Sequence, residues 1–152
     1  MITVKRTNSD NSDFKKLAIE LDINLKTYYK EEQSFYGELN DIDKIKFVVV
    51  AYNKMGKPVG CGGIKEYSKN EIEIKRMYVP PNYREKGIAT IILNELENWS
   101  SELKFKKCIL ETLIEKPYAI AFYKKNGYQI IPNFGEYMKA KNSICFEKDI
   151  KV

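Results

Sequence analysis

Arg76-Met77-Tyr78-Val79-Pro80-Pro81-Asn82-Tyr83-Arg84-Glu85-Lys86-Gly87-Ile88-Ala89 is the stretch that decides the fold of this chain. An alternating strand ends at Val79, because Pro80 and Pro81 cannot donate to a ladder. A loop bearing Arg84, Lys86 and Gly87 follows, and a helix opens on the small residue Ala89. Free N–H groups at a helix start form a natural anion site. Gly87 lets backbone come close to a phosphate, and the two cations add charge of the right sign. The segment is neither Gly-x-x-x-x-Gly-Lys-Ser/Thr nor Gly-x-Gly-x-x-Gly. On its own, Arg-x-x-Gly-x-Ala also fits an ordinary helix entry with solvated basic residues.

Upstream, residues 46–53 form a strand dominated by Phe47, Val48, Val49 and Val50. After a turn at residues 54–58, residues 59–67 pair back. Within them Gly60-Cys61-Gly62-Gly63 weakens the strand unless something must approach the backbone closely. Residues 71–79 alternate as the next strand. Downstream, the spacing of Ile88, Ile91, Ile92, Leu96 and Trp99 predicts a helix over about residues 86–103. Residues 107–113 read as a strand. Pro117 opens a further helix through Ala119, Ile120, Phe122 and Tyr123, and Asn126-Gly127 stops it. Residues 128–131 and 143–148 are the last strands, joined by a loop over 132–142. At the N-terminal end, residues 2–5 make a short strand, Asp10 to Ser12 offer caps, and Phe14, Leu17, Ala18, Leu21 and Leu25 have helical spacing. Residues 26–43 are polar and aromatic, a short helix or loop. The order β-α-(loop)-β-β-β-α-β-α-β-β, without repeat or linker, predicts one α/β (α+β) domain over residues 1–152.

Composition limits the chemistry. The 152 residues suffice for one core without a metal or disulfide staple. There is no histidine, which removes Ser/His and Cys/His hydrolase arrangements and the usual Cys/His zinc sites. Any general base must be Glu, Asp, Tyr, Lys, Cys or a water chain. Cys61, Cys108 and Cys145 lie far apart in strand-like runs and read as buried small residues. The net charge of +5 is spread along a lysine-rich chain with only three arginines, so no clustered basic helix suggests a nucleic-acid partner. No apolar run reaches the ~20 residues of a membrane span, and the N-terminus lacks the plan of a secretion signal. The expectation is a cytoplasmic protein, monomeric or homodimeric, with no metal.

Two segments resemble the GNAT acetyltransferase superfamily. Arg84-Glu85-Lys86-Gly87-Ile88-Ala89 after Met77-Tyr78-Val79 is similar to that family's Arg/Gln-x-x-Gly-x-Gly/Ala loop and the strand before it. Ala119-Ile120-Ala121-Phe122-Tyr123-Lys124-Lys125-Asn126-Gly127-Tyr128 is similar to its helix ending in Tyr-x-x-x-Gly-Phe/Tyr. Leu110-Glu111-Thr112 and the tail from Ile131 resemble a branch of small bacterial members. The resemblance spans about residues 45–148. It implies a central, mixed, mostly antiparallel sheet of six to seven strands flanked by about four helices, with strands four and five splayed. It also implies direct acetyl transfer from acetyl-CoA to a primary amine of a small molecule or peptide.

By the same resemblance, Met77, Tyr78 and Val79 meet the pantetheine arm. Arg84, Glu85, Lys86, Gly87, Ile88, Ala89 and Thr90 hold the pyrophosphate. Lys116, Ala119, Tyr123 and Lys125 complete the cofactor site, although Lys116 stands where the family often has Asn. Glu73, eleven residues before Arg84, takes the place of the general base, directly or through water, with Glu71 and Glu111 as rivals. Tyr123 takes that of the acid at the sulfur. Tyr28, Tyr36, Glu111 and Tyr137 are candidates for the acceptor wall. The competing expectation is a non-catalytic acetyl-CoA sensor or scaffold of the same fold.

Overall fold

The computed structural model describes residues 1–29 and 45–150. β1 (Thr3–Thr7) leads into α1 (Ser12–Tyr29). Asn11 caps that helix: its Oδ1 accepts the Phe14 N–H at 2.9 Å, satisfying a donor that the first turn leaves unpaired. Phe14, Leu17, Ala18, Leu21 and Leu25 are all buried along one face. Beyond the end of α1, the helix or loop expected over residues 26–43 lies outside the described residues.

β2 (Phe47–Tyr52), β3 (Pro58–Glu66) and β4 (Glu71–Tyr78) form an antiparallel meander. A 3-10 turn at Pro81–Tyr83 precedes α2 (Ile88–Glu102), followed by β5 (Lys107–Leu113), α3 (Pro117–Lys125), β6 (Gln129–Ile131) and β7 (Ser143–Asp149). α3 ends as its sequence predicts. Gly127 takes φ 93°, its N–H donates to the Lys124 carbonyl, and the Tyr128 N–H donates to that of Tyr123. The loop expected over residues 132–142 contains a 3-10 turn at Gly135–Lys139. Three α-helices are found among the described residues, against about four expected.

The seven strands lie in the order β1-β2-β3-β4-β5-β7-β6, antiparallel throughout except for the parallel pair β4–β5. That pair holds only from Glu71 opposite Lys107 to Ile74 opposite Leu110. Among the described residues, β4 beyond it continues on β3 alone, while Glu111, Thr112 and Leu113 pair only with β7. The sheet therefore opens as a V at its centre, the splay the sequence led us to expect.

β4 also bulges inside this V. Cys61 pairs with Tyr78 but Gly63 with Lys75, so β4 has one extra residue opposite Gly62. Arg76 occupies the bulge at φ 61°, a left-handed conformation costing a side-chain-bearing residue about 1–2 kcal/mol. Its guanidinium donates to both Asp22 oxygens on α1, at 2.7 and 3.3 Å. The Cys61 thiol donates to the Arg76 carbonyl at 3.4 Å. These contacts offset the strain and tie the bulge to α1.

Two apolar layers cover the sheet. α2 and α3 close one side, over Val49, Ile72, Ile74, Leu110 and Phe146. α1 and the Gly135–Lys139 turn close the other, over Val48, Val50, Cys61, Leu113 and Cys145. The glycine run answers to this packing. A Cβ at Gly62 would lie 2.7 Å from Met77 Sδ and 2.8 Å from Leu96 Cδ1, so what approaches β3 closely is α2 and the neighbouring strand. All three cysteines are buried and free.

Candidate active site

Where the sheet splays, a cleft of about 830 Å³ runs between the end of β4, the start of α2 and α3. Met77, Tyr78 and Val79 line it from β4, Arg84, Glu85, Gly87, Ile88, Ala89 and Thr90 from the loop and first turn of α2, and Lys116, Ala119, Tyr123 and Lys125 from the far wall. Of the residues expected there, Lys86 stands outside the lining, exposed, with its ammonium 6.0 Å from the Tyr83 ring centre. Its position after a left-handed residue, Glu85 at φ 65°, turns the chain there. Leu21, Asn24, Tyr83, Tyr118 and Phe122 also line the cleft, and the sequence singled out none of them for it.

The loop geometry is that of an anion cradle. Gly87 is the N-cap of α2 at φ 81°, and no side chain caps the helix. Ile91 is the first residue whose N–H finds the helix ladder, on the Gly87 carbonyl. The N–H groups of Ile88, Ala89 and Thr90 are thus left without intrahelical partners. A Cβ at Gly87 would meet nothing within 4 Å, so the backbone conformation rather than crowding demands glycine there. Arg84 Nε donates to the Val79 carbonyl at 2.8 Å, closing the loop on the strand end.

On the α1 side of the splay lies a smaller cavity of about 90 Å³. Alternation along the strands brings Glu73 and Lys75 of β4 and Glu111 of β5 into its wall. Tyr137 enters from the 3-10 turn. Its hydroxyl donates to Glu73 Oε2 at 2.6 Å and accepts from Lys75 Nζ at 3.2 Å. The Ser143 hydroxyl donates to Glu111 Oε2 at 2.5 Å. Of the rival carboxylates, Glu71 is drawn away: its Oε1 accepts from Ser68 in the β3–β4 turn at 2.9 Å. Tyr28 falls in the last turn of α1, and Tyr36 lies outside the described residues.

Burial dominates the electrostatics here. It pushes the Glu73 carboxyl above the usual range, against the pull of the Lys75 ammonium and the Tyr137 hydrogen bond. It lifts Glu111 to about 7 and lowers Lys75. Lys116 is brought down to about 8 by burial and by the like charge of Arg84, opposed by Glu111. The Tyr123 and Tyr137 phenols are pushed up by burial and stay protonated.

Leu21, Met77, Thr112, Lys116 and Tyr123 line both spaces, so the two meet at the mouth of the splay. The Tyr123 ring is held there by Phe122, Tyr128 and Phe146 at 5.1, 5.7 and 6.0 Å between centres. No hydrogen bond to its hydroxyl is found among the described residues. Lys75 was findable in the sequence as the residue two along from Glu73 on the same face. Asp22 carried no such signal, because its partner Arg76 is fifty-four positions away. Among the described residues no group of three or more His, Cys, Asp or Glu could hold a metal.

A family model described as the acetyltransferase (GNAT) family matches residues 16–128. The chain belongs to the GNAT acetyltransferase family. It is 29% identical over 152 residues to an IAA acetyltransferase of Azospirillum brasilense, covering 98% of each chain. A Klebsiella pneumoniae structure, determined as a candidate acyl-CoA N-acyltransferase, superposes with a TM-score of 0.83 at 27% identity, covering 99% of this chain and 98% of that one. The PaiA N-acetyltransferase of Thermoplasma acidophilum, solved in complex with coenzyme A, shares the fold at a TM-score of 0.72 and 20% identity, covering 98% and 99%.

The acyl donor of a GNAT acetyltransferase is acetyl-CoA. The residues present fit such a group: an open glycine cradle with three unpaired helical N–H groups suits a pyrophosphate, and the cleft beyond it is long and partly apolar. Among the described residues no helix is long and apolar enough to cross a membrane.

Proposed function

We propose that this GNAT acetyltransferase, acting as a single domain, moves the acetyl group of acetyl-CoA directly to a primary amine of a small molecule or peptide. Glu73 is the general base and Tyr123 the general acid. The observation that carries the proposal is the meeting of two spaces at the splay. A basic, open-backboned cleft ends where a buried carboxylate cavity begins, and Tyr123 stands at the junction.

The chemistry makes three demands. An alkyl amine with a lysine-like pKa of about 10.4 arrives protonated and must lose a proton. Glu73 suits this because its desolvated carboxylate holds a proton more tightly than an exposed one. The amine nitrogen then bonds to the acetyl carbon, and the carbonyl oxygen needs a donor, a part the main-chain N–H of Met77 or Val79 would take. As the C–S bond breaks, the departing thiolate takes a proton from the Tyr123 hydroxyl, which burial keeps protonated. The second proton of the attacking nitrogen, made acidic by the new bond, returns to the phenolate. Lys116 and Arg84 add positive charge along the cleft, and the N–H groups of Ile88, Ala89 and Thr90 receive phosphate oxygens.

The decisive experiment measures thiol release from acetyl-CoA across a panel of amines, amino acids, polyamines and peptides, with Glu73→Gln beside the wild type. The proposal expects turnover with at least one primary amine and a loss of about 10²–10⁴-fold in kcat for Glu73→Gln. Turnover that survives Glu73→Gln moves the base to Glu111. No acceptance of any amine rejects direct transfer.

A further inference from the structure

We infer that Tyr137 and Lys75 are positioning residues for Glu73: together they fix which carboxylate oxygen is open to the acceptor and hold that carboxyl as an anion. The inference rests on Glu73 being the base.

The hydrogen bonds run one way. Lys75 Nζ donates to the Tyr137 hydroxyl at 3.2 Å, and that hydroxyl donates to Glu73 Oε2 at 2.6 Å. A phenol has one proton, so giving it to Glu73 turns its lone pairs toward Lys75. Oε2 is thereby committed, and no partner of Oε1 is found among the described residues. Tyr137 is itself held rigidly. Asn133 Nδ2 donates to the carbonyls of Tyr137, Ala140 and Ser143, at 3.2, 3.4 and 3.2 Å, which pins the turn. The ring packs edge-on against Phe134 at 5.4 Å, and Phe134 against Tyr67 at 5.2 Å.

Among the described residues, four charged groups bear on Glu73. Lys75 stands 3.9 Å away on its own strand. Lys65 faces it from β3, Glu136 from the turn and Glu111 from β5. Among the described side chains of α1, Leu21 and Leu25 line the cavity, and Asp22 is turned to Arg76. Among the described residues Lys75 is the closest cation, and Tyr137 connects it to the carboxylate. In the proton-transfer step, one proton leaves the acceptor ammonium for Glu73 Oε1, giving a neutral amine and a carboxylic acid. No proton has to pass through Tyr137.

The test follows the Glu73 carboxyl directly. Carbon-13 NMR of glutamate-labelled, unliganded protein gives its titration, the resonance being identified by its loss in Glu73→Gln. The acid limb of the kcat–pH profile gives a second readout, since kcat reports groups in the bound complex rather than the free amine. Removing a cation or a hydrogen bond from a carboxylate raises its pKa. Lys75→Met should therefore move both the titration and the acid limb to higher pH by about one unit, and Tyr137→Phe in the same direction. Lys75→Arg should restore the wild-type position, and KM for acetyl-CoA should not change. Tyr137→Phe keeps the ring and its packing, so the turn stays in place. An unmoved Glu73 titration in both variants overturns the inference and leaves Glu73 as base. A wild-type kcat in Glu73→Gln removes Glu73 as base, and the inference falls with it.

Discussion

Tyr123 is a core residue with a hydroxyl at the edge of a cleft, and its two roles are separable. Its ring packs on Phe146 and Tyr128, whereas its hydroxyl has no protein partner among the described residues. Tyr123→Phe therefore keeps the packing and removes the acid. The variant should lose about 10²-fold or more in kcat while binding acetyl-CoA as the wild type does, by steady-state thiol release and calorimetry. A wild-type kcat would reject the role. Glu111 makes a different prediction. Its carboxyl is raised in the fold to about 7 from an ordinary 4.5. A carboxyl raised this way favours the fold while protonated. That contribution is full below about pH 4.5 and is lost as pH rises through about 7. Glutamine cannot ionise and can still accept the Ser143 hydrogen bond. Glu111→Gln should thus raise Tm at pH 8, by roughly 2–4 °C for each kcal/mol relieved, and leave it unchanged near pH 4. An equal change at both pH values would show that desolvation of this carboxylate is not the cause.

At the scale of elements, the site depends on β4 being irregular. Polar and apolar residues alternate through Glu71, Ile72, Glu73, Ile74 and Lys75, and then Arg76 breaks the pattern. The break marks the bulge, where the sequence led us to expect alternation through Val79. Its anchorage was not legible either, because Asp22 reaches it from another element. The loop at Arg84 to Ala89 and the Gly127 helix stop were legible for a local reason: backbone chemistry set by one or two residues. The close approach at Gly60, Gly62 and Gly63 was legible as a need, but not the identity of what approaches. Gly62→Ala tests that packing. The added methyl would meet Met77 Sδ at 2.7 Å, Leu96 Cδ1 at 2.8 Å and Ile92 Cγ2 at 3.1 Å. Overpacking of this kind costs about 1–3 kcal/mol, which urea denaturation would read. Because Met77 also lines the cleft, acetyl-CoA affinity should fall with it. Unchanged stability would mean that α2 yields freely, and would remove the packing account of the glycine run.

At the scale of the whole molecule, the sheet keeps two sides apart except where β4 and β5 part. The anion cradle and α3 belong to one side, and the carboxylate cavity and α1 to the other. Donor and acceptor can therefore be tested independently. Ligand present at a hundred times its dissociation constant stabilises a fold by about 2.7 kcal/mol. For a chain of this size that is a rise in Tm of roughly 5–10 °C with acetyl-CoA. Thr90→Asp separates cradle from fold. A carboxylate in the first turn of α2 suits the helix dipole, so the unliganded protein should melt no lower than the wild type. The same carboxylate repels a pyrophosphate at the unpaired N–H groups, so the rise with acetyl-CoA should be lost. The Glu73 titration, across the sheet, should stay where it is in the wild type. A Thr90→Asp protein that still gains the full thermal shift would place the phosphates away from the start of α2, and the cradle would then be only a helix entry.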